Sequence, residues 1–285
     1  MLRREAMVVL AGAGVRAWAA SPKKLDSIVG EIPGTALLVD VASYKLLAVH
    51  APELAGALLV PPGSAIKPFT IAALLQGHKC RADENYLCPE KLEIGGRSFR
   101  CSHPPLNSPM HVSTALSYSC NCFVAHFAQR FAPGELAAHL LTCGLATRSS
   151  LFGDREGTGR VQRAESQQAQ QLQAIGEGSV LVTPAGMAMA YRRLAVSAHE
   201  AIRSGLEGAV EFGTAQQARV AGRKVAGKTG SARSADGNYI AWFCGFAPSR
   251  DPSVAVTVML QARSGGADAA PLGGRILEAY FAGHL

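Results

Sequence analysis

Apolar runs of strand length stand at both ends of this 285-residue chain, and the stretch between them follows helical periodicity. Residues 35–40 and 45–50 flank a polar break at 41–44 and read as an antiparallel hairpin. Residues 239–246 and 253–260 form a second pair around Pro248 to Pro252, and 224–231 precedes them across a turn at Asp236-Gly237-Asn238. Helical stretches fall between, at 70–75, 112–118, 123–128, 133–141 and 185–195, the last entered through Thr183-Pro184. Residues 273–281 read as a closing helix, and the polar residues 151–171 as surface loop. Strands from both termini can cover their apolar faces together only in a shared sheet. The pattern therefore predicts an α+β fold: an antiparallel sheet assembled from both termini, flanked by helices, with a helical lobe inserted. No internal repeat or linker divides it.

Hydrophobic residues make up 48% of the chain and charged residues 17%, enough to bury a sizeable core and too apolar for disorder. No apolar run approaches the roughly 20 residues of a membrane span. The net charge of +7 is spread along the chain without a basic, aromatic-interleaved stripe, so nucleic acid is not implied. Residues 1–20 read as an export signal: Arg3-Arg4, a short apolar stretch from Met7 to Val15, and a small-residue cleavage site at Ala17-Trp18-Ala19. The paired arginines are similar to a twin-arginine signal, although Glu5-Ala6-Met7 departs from its pattern. That reading places the protein in the periplasm or cell envelope.

Seven cysteines leave at least one unpaired in an oxidising compartment. Cys88 and Cys101 flank a segment whose Gly95-Gly96 suggests a hairpin-like return, so a disulfide between them is expected there, with Cys80 competing for either. No C-x-x-C pair is present, and His103 near Cys101 is an isolated hint, so no metal is implied. Cys120, Cys122, Cys143 and Cys244 lie in apolar settings and read as core thiols.

Pro61-Pro62-Gly63-Ser64 is a turn opening onto an apolar helix, which puts the Ser64 hydroxyl near the positive end of the helix dipole. Lys67 follows three residues on, on the same face, where its amine can take the Ser64 proton if burial or a second cation keeps it neutral. Alone, such a spacing also describes a capping serine and a solvated lysine. Further along, residues 222–229 fit the phosphate-binding pattern G-x-x-x-x-G-K-[ST] letter for letter. That pattern needs a helix directly after it, and here Gly230, small polar residues and an aromatic strand follow. The same letters read better as Lys-Thr-Gly on a strand.

Three elements thus stand in order: Ser64-Ala65-Ile66-Lys67, Ser119-Cys120-Asn121 and Lys228-Thr229-Gly230. The trio resembles the signature of active-site-serine penicillin-binding proteins and class A β-lactamases, with Cys120 where the middle element usually carries Asp. In detail the chain looks like a penicillin-binding protein transpeptidase domain. Pro62-Gly63 and Pro68-Phe69 match the run around the nucleophile, and Gly176-Glu177-Gly178 with Thr183-Pro184 matches another, with Glu177 for the commoner Gln. The resemblance covers about residues 30 to 285 and sets the domain at 27–285, a β-lactamase/transpeptidase-like α+β unit. It implies that Ser64 attacks the carbonyl of a D-Ala-D-Ala stem peptide or of a β-lactam, with Lys67 as base and Lys228 lowering the Lys67 pKa by like charge. It further implies that Ser119 relays the proton, that Asn121 orients Lys67 and substrate, and that Lys228 and Thr229 hold the substrate carboxylate. Gly230 would keep the strand edge bare for substrate, and the N–H groups of Ser64 and Ser231 would form the oxyanion hole. No cofactor is implied. The expected partners are peptidoglycan stem peptide, β-lactams as inhibitors, and other cell-wall synthesis proteins.

Two alternatives stand beside D,D-transpeptidase or D,D-carboxypeptidase activity. The chain's compactness suits a serine β-lactamase, but neither the class A glutamate loop nor the class D Tyr-Gly-Asn motif is evident, and only Glu165 or Glu177 offers a deacylating base. A β-lactam-sensing or non-catalytic transpeptidase-like binding module is the other.

Overall fold

The N-terminal hairpin forms where its apolar runs place it. The structure, a computed structural model, describes residues 23–285, so the export segment lies outside the described residues. After β1 (Lys23–Lys24) and the short α1 (Asp26–Val29) come β2 (Gly34–Asp40) and β3 (Leu46–His50). Asp40 Oδ1 closes the turn between the two longer strands, accepting from the Ser43 N–H and hydroxyl at 2.6 Å each. Next come α2 (Pro52–Ala57), a 3-10 turn (Gly63–Ile66) and α3 (Lys67–Gln76). A small hairpin follows, β4 (Lys91–Ile94) and β5 (Arg97–Arg100), turned by Gly95 and Gly96 as their sequence suggests.

The lobe continues with α4 (Val112–Ser117), α5 (Asn121–Ala128), α6 (Glu135–Thr142), β6 (Arg160–Val161), α7 (Gln167–Ile175), β7 (Val180–Leu181), α8 (Pro184–Ser197) and α9 (Glu200–Glu211). The chain closes with β8 (Ala226–Arg233), β9 (Tyr239–Ala247), β10 (Val254–Leu260) and α10 (Ala270–Phe281). The main sheet runs β1-β3-β2-β10-β9-β8 and is antiparallel except for the parallel β1–β3 pair. β10 pairs with β2 along its full length, Val256 opposite Leu38, and this joins the two ends of the chain.

The central strands are buried on both faces, and their side chains sort by strand alternation into two cores. Val254, Val256, Val258 and Leu260 point into the core roofed by α1 and α10. Ala255 and Met259 point into the larger core beneath the helical lobe, as do Trp242 and Phe246 of β9.

Besides the short α1 and α2, two longer helices have no counterpart in the sequence reading. The stretch expected as loop through residue 171 becomes α7 from Gln167 onward, with Ser166 Oγ accepting from the Ala169 N–H at 3.1 Å and Gly176 ending the helix at φ 87°. Its glutamines mimic surface residues in composition, yet Gln170 is buried and its Nε2 donates to Ala128 O and Phe131 O at 3.0 and 3.1 Å. Those carbonyls lie at and just beyond the C-terminus of α5, where helical acceptors have no internal partner. α9 is the second addition, capped by His199, whose Nδ1 accepts from the Ala201 N–H at 3.1 Å.

Candidate active site

Ser64 sits in the 3-10 turn ahead of α3, and that turn is wedged between β8 and the loop after α7. Gly63 takes φ 50°, and a Cβ there would lie 2.5 Å from Ser231 O. Gly176, on the other side, takes φ 87° with a virtual Cβ only 2.0 Å from Gly63 O, so neither position accommodates a side chain. The turn's carbonyls are tied to the core: Trp242 Nε1 donates to Pro61 O at 2.9 Å, and the fully buried Tyr191 hydroxyl donates to Ala65 O at 2.7 Å. Tyr191 is not marked by its sequence context, because it reaches the turn across more than a hundred residues.

Lys67 opens α3 and is completely buried. Its Nζ donates to Ser119 O and Asn121 Oδ1 at 2.6 Å each and to Ser119 Oγ at 3.3 Å. Ser119 adopts a left-handed φ of 56°, a conformation costly for a non-glycine residue and concentrated at functional sites. Cys120 occupies the N-cap of α5, where its sulfur accepts from the Phe123 N–H at 3.3 Å. It thus does for the helix what an aspartate would do there. Burial lowers the Lys67 ammonium to about 8, against an opposing pull from the thiols of Cys120, Cys101 and Cys122.

Lys228 and Thr229 lie within β8, paired with Cys244 and Phe243 of β9, and no helix follows them; a phosphate-binding loop is thereby excluded. Lys228 is also fully buried, and its Nζ donates to Thr229 O at 3.0 Å. Burial, and behind it the charge of Lys67, holds the Lys228 ammonium well below the usual lysine range. Desolvation is the leading cause that lowers both lysines, and their like charges oppose simultaneous protonation. Gly230 has a packing reason of its own. A Cβ there would meet Pro62 O at 2.7 Å and Ala65 N at 2.9 Å, so the missing side chain makes room for the nucleophile turn. Ser231 Oγ accepts from the Gly265 N–H at 3.1 Å.

β8 is the outermost strand of the sheet, which leaves one edge without a strand partner. Along it runs a groove of about 590 Å³ lined by Ser64, Ser119, Asn121, Thr229, Gly230 and Ser231 among others. Thr214, which the sequence reading passed over, also lines it and receives a 2.9 Å hydrogen bond from the Thr229 hydroxyl. A larger cavity of about 840 Å³ behind α3 contains none of the three motifs.

Cys88 and Cys101 are brought together by the β4–β5 hairpin as expected, but as free thiols 3.7 Å apart, and Cys120 and Cys122, buried in the core as expected, join them. His50 pairs with Asp26 at 2.6 Å, and His126 packs against the ring of Tyr86.

The chain is 26% identical over 266 residues to stage V sporulation protein D of Bacillus subtilis, a match covering 76% of this chain and 41% of that protein. It is 29% identical over 244 residues to the probable peptidoglycan D,D-transpeptidase PenA of Neisseria meningitidis, covering 71% and 40% respectively. The match thus spans about two fifths of the length of these curated relatives. Among solved structures, the complex of penicillin-binding protein PBP2 with MreC from Helicobacter pylori superposes with a TM-score of 0.79 at 19% identity, covering 91% of this chain and 62% of that one, and supports the fold alone. The profile of the penicillin binding protein transpeptidase domain matches residues 56–278, and with more than half of its length so matched the chain belongs to that family.

Proposed function

We propose that this chain is an acyl-serine D,D-transpeptidase or D,D-carboxypeptidase acting on peptidoglycan stem peptides, and that β-lactams acylate the same serine. One observation carries the reading: Lys67 Nζ is bound by Ser119 and Asn121 of the second motif, while Ser64 and the β8 edge front the same groove.

A neutral Lys67 amine has two N–H donors, and the two 2.6 Å bonds to Ser119 O and Asn121 Oδ1 use both. Its lone pair is then free to take the Ser64 proton, with the Ser119 hydroxyl 3.3 Å away as the next acceptor in line. Ser64 Oγ bonds to the carbonyl carbon as its proton passes to Lys67. The intermediate collapses by breaking the carbon–nitrogen bond, and the proton reaches the leaving amine through Ser119. Thr229, which lines the groove, receives the substrate carboxylate with Lys228 buried behind it, and the backbone N–H groups of Ser64 and Ser231 would face the developing oxyanion. An amine or water then opens the acyl-enzyme, and which one does so separates transpeptidation from carboxypeptidation.

Hydrolysis of β-lactams gains nothing from the geometry. Glu177 pairs with Arg97 at 2.7 Å, Glu165 is exposed, and neither lines the groove. Export of the chain through residues 1–20 to the periplasm follows from the same reading, because the substrate lies outside the cytoplasmic membrane. No described helix is long and apolar enough to cross a membrane. The Helicobacter pylori PBP2 was solved with MreC, and a cell-wall partner of comparable kind is proposed here.

The test is incubation with a D-Ala-D-Ala pentapeptide, with and without a D-amino acid acceptor. Release of D-Ala or exchange into the acceptor is expected from the wild type and neither from Ser64→Ala. Equal release by both would overturn the reading.

A further inference from the structure

Four cysteine sulfurs meet where the β4–β5 hairpin lies against the start of α5. Cys101 Sγ lies 3.7 Å from Cys88, 3.6 Å from Cys120 and 3.5 Å from Cys122, and Cys120 lies 3.5 Å from Cys88. A tetrahedral zinc site with Zn–S bonds of about 2.3 Å has sulfur–sulfur edges of about 3.8 Å. Cys88, Cys101 and Cys120 therefore already form a triangle close to the size of one face of such a site.

His103 supplies the fourth corner. One of its ring nitrogens and the three sulfurs all lie within 4.8 Å of one another. Its Nδ1 stands 2.8 Å from Pro104 O, which can only accept, so Nδ1 carries the proton. Nε2 is left with a bare lone pair, yet it is buried without a hydrogen-bond partner in a residue only 8% exposed. An imidazole that donates one nitrogen to a backbone carbonyl and offers the other is the usual form of a metal-ligating histidine. Packing alone gives that buried lone pair no partner.

Two of the sulfurs also accept backbone hydrogen bonds. The Glu90 N–H donates to Cys88 Sγ and the Phe123 N–H to Cys120 Sγ, each at 3.3 Å. Hydrogen bonds of this kind favour the charged ligand.

We propose that Cys88, Cys101, Cys120 and His103 form a Cys3His site for a soft divalent cation, Zn2+ being the ion this donor set suits. Binding releases the three thiol protons to solvent and leaves three thiolates and one neutral imidazole on the ion. The ion would clamp the β4–β5 hairpin to the segment carrying Ser119 and Asn121. Asn121 follows Cys120 directly and accepts from Lys67 at 2.6 Å, so the clamp would hold the partner of the proposed base. Cys122, 3.5 Å from Cys101 but not among the four ligand atoms that all lie within 4.8 Å of one another, stays outside the ligand set as a fourth thiol.

The inference stands on this cluster and does not depend on the acyl-transfer reading. The test is metal analysis of the full chain purified without chelator, followed by replacement with Co2+. About one zinc per chain is expected, and the Co2+ form should show tetrahedral visible bands with thiolate-to-metal charge transfer. Cys101→Ser should lose the metal, His103→Ala should bind it roughly tenfold or more weakly, and Cys122→Ser should keep it. Circular dichroism checks that each variant folds, and the Co2+ spectrum of the unaltered chain needs no variant. Failure of the reduced chain to take up stoichiometric Zn2+ or Co2+, a Co2+ spectrum without thiolate charge transfer, or a Cys88–Cys101 disulfide mapped in the natively purified protein would overturn the site. Metal lost in Cys122→Ser but retained in His103→Ala would overturn the ligand set.

Discussion

Lys67 concentrates the chemistry in one buried side chain. Its ammonium is lowered to about 8 by desolvation, and only the unprotonated amine can accept the Ser64 proton. The sign follows directly: acylation is supported above that value and lost as the pH falls through it. The second-order rate of acylation by a penicillin, measured against pH on an enzyme that stays folded throughout, should rise to a plateau with a midpoint near about 8. A flat profile across that midpoint would remove Lys67 from the role of base. At this scale the sequence was informative for a physical reason. Ser64 and Lys67 are local neighbours, so their three-residue spacing announces them, as Ser119-Cys120-Asn121 and Lys228-Thr229-Gly230 announce themselves. Thr214 and Tyr191 act across long sequence separations through single hydrogen bonds, and no local pattern marks such residues.

Among the elements, the Ser64 turn is confined from several sides, by β8, the end of α7 and two aromatic donors. Tyr191→Phe removes the donor to Ala65 O and leaves that carbonyl buried without this bond. The expected cost is about 1–3 kcal/mol in denaturant unfolding, with slower acylation at saturating inhibitor. Gly176→Ala should be worse, since its φ of 87° and the virtual Cβ contact of 2.0 Å with Gly63 O both oppose a side chain. A shift in the urea midpoint with acylation unchanged in both variants would show that the turn is indifferent to these supports. Strands and apolar helices were legible from periodicity, and the β4–β5 hairpin from its paired glycines. α7 was not, because five of its nine residues are glutamines and its burial relies on side-chain amides meeting the carbonyls around the end of α5. Composition cannot report hydrogen bonds that exist only after packing. The cysteines show the same limit: a pair could be guessed from a hairpin, but a cluster drawn from both the hairpin and α5 appears only in three dimensions.

For the whole molecule, β2 against β10 closes the sheet with strands from both ends of the chain, and this pairing sets β8 at the rim beside the helical lobe. The groove therefore has one wall from the C-terminal strands and another from the lobe, and the three motifs meet only in the complete fold. The α+β class and the two-ended sheet were readable because a strand pair near each terminus, with helices between, has few ways to bury its faces. The choice of reaction depends on the assembled groove. The most direct measurement of the central claim is intact-protein mass spectrometry of the chain mixed with benzylpenicillin and followed over time, with peptide mapping of any adduct. The account predicts a persistent adduct of one inhibitor per chain on Ser64, absent in a folded Ser64→Ala variant. An adduct that appears and is rapidly hydrolysed, or labelling that survives the Ser64→Ala substitution, would contradict it.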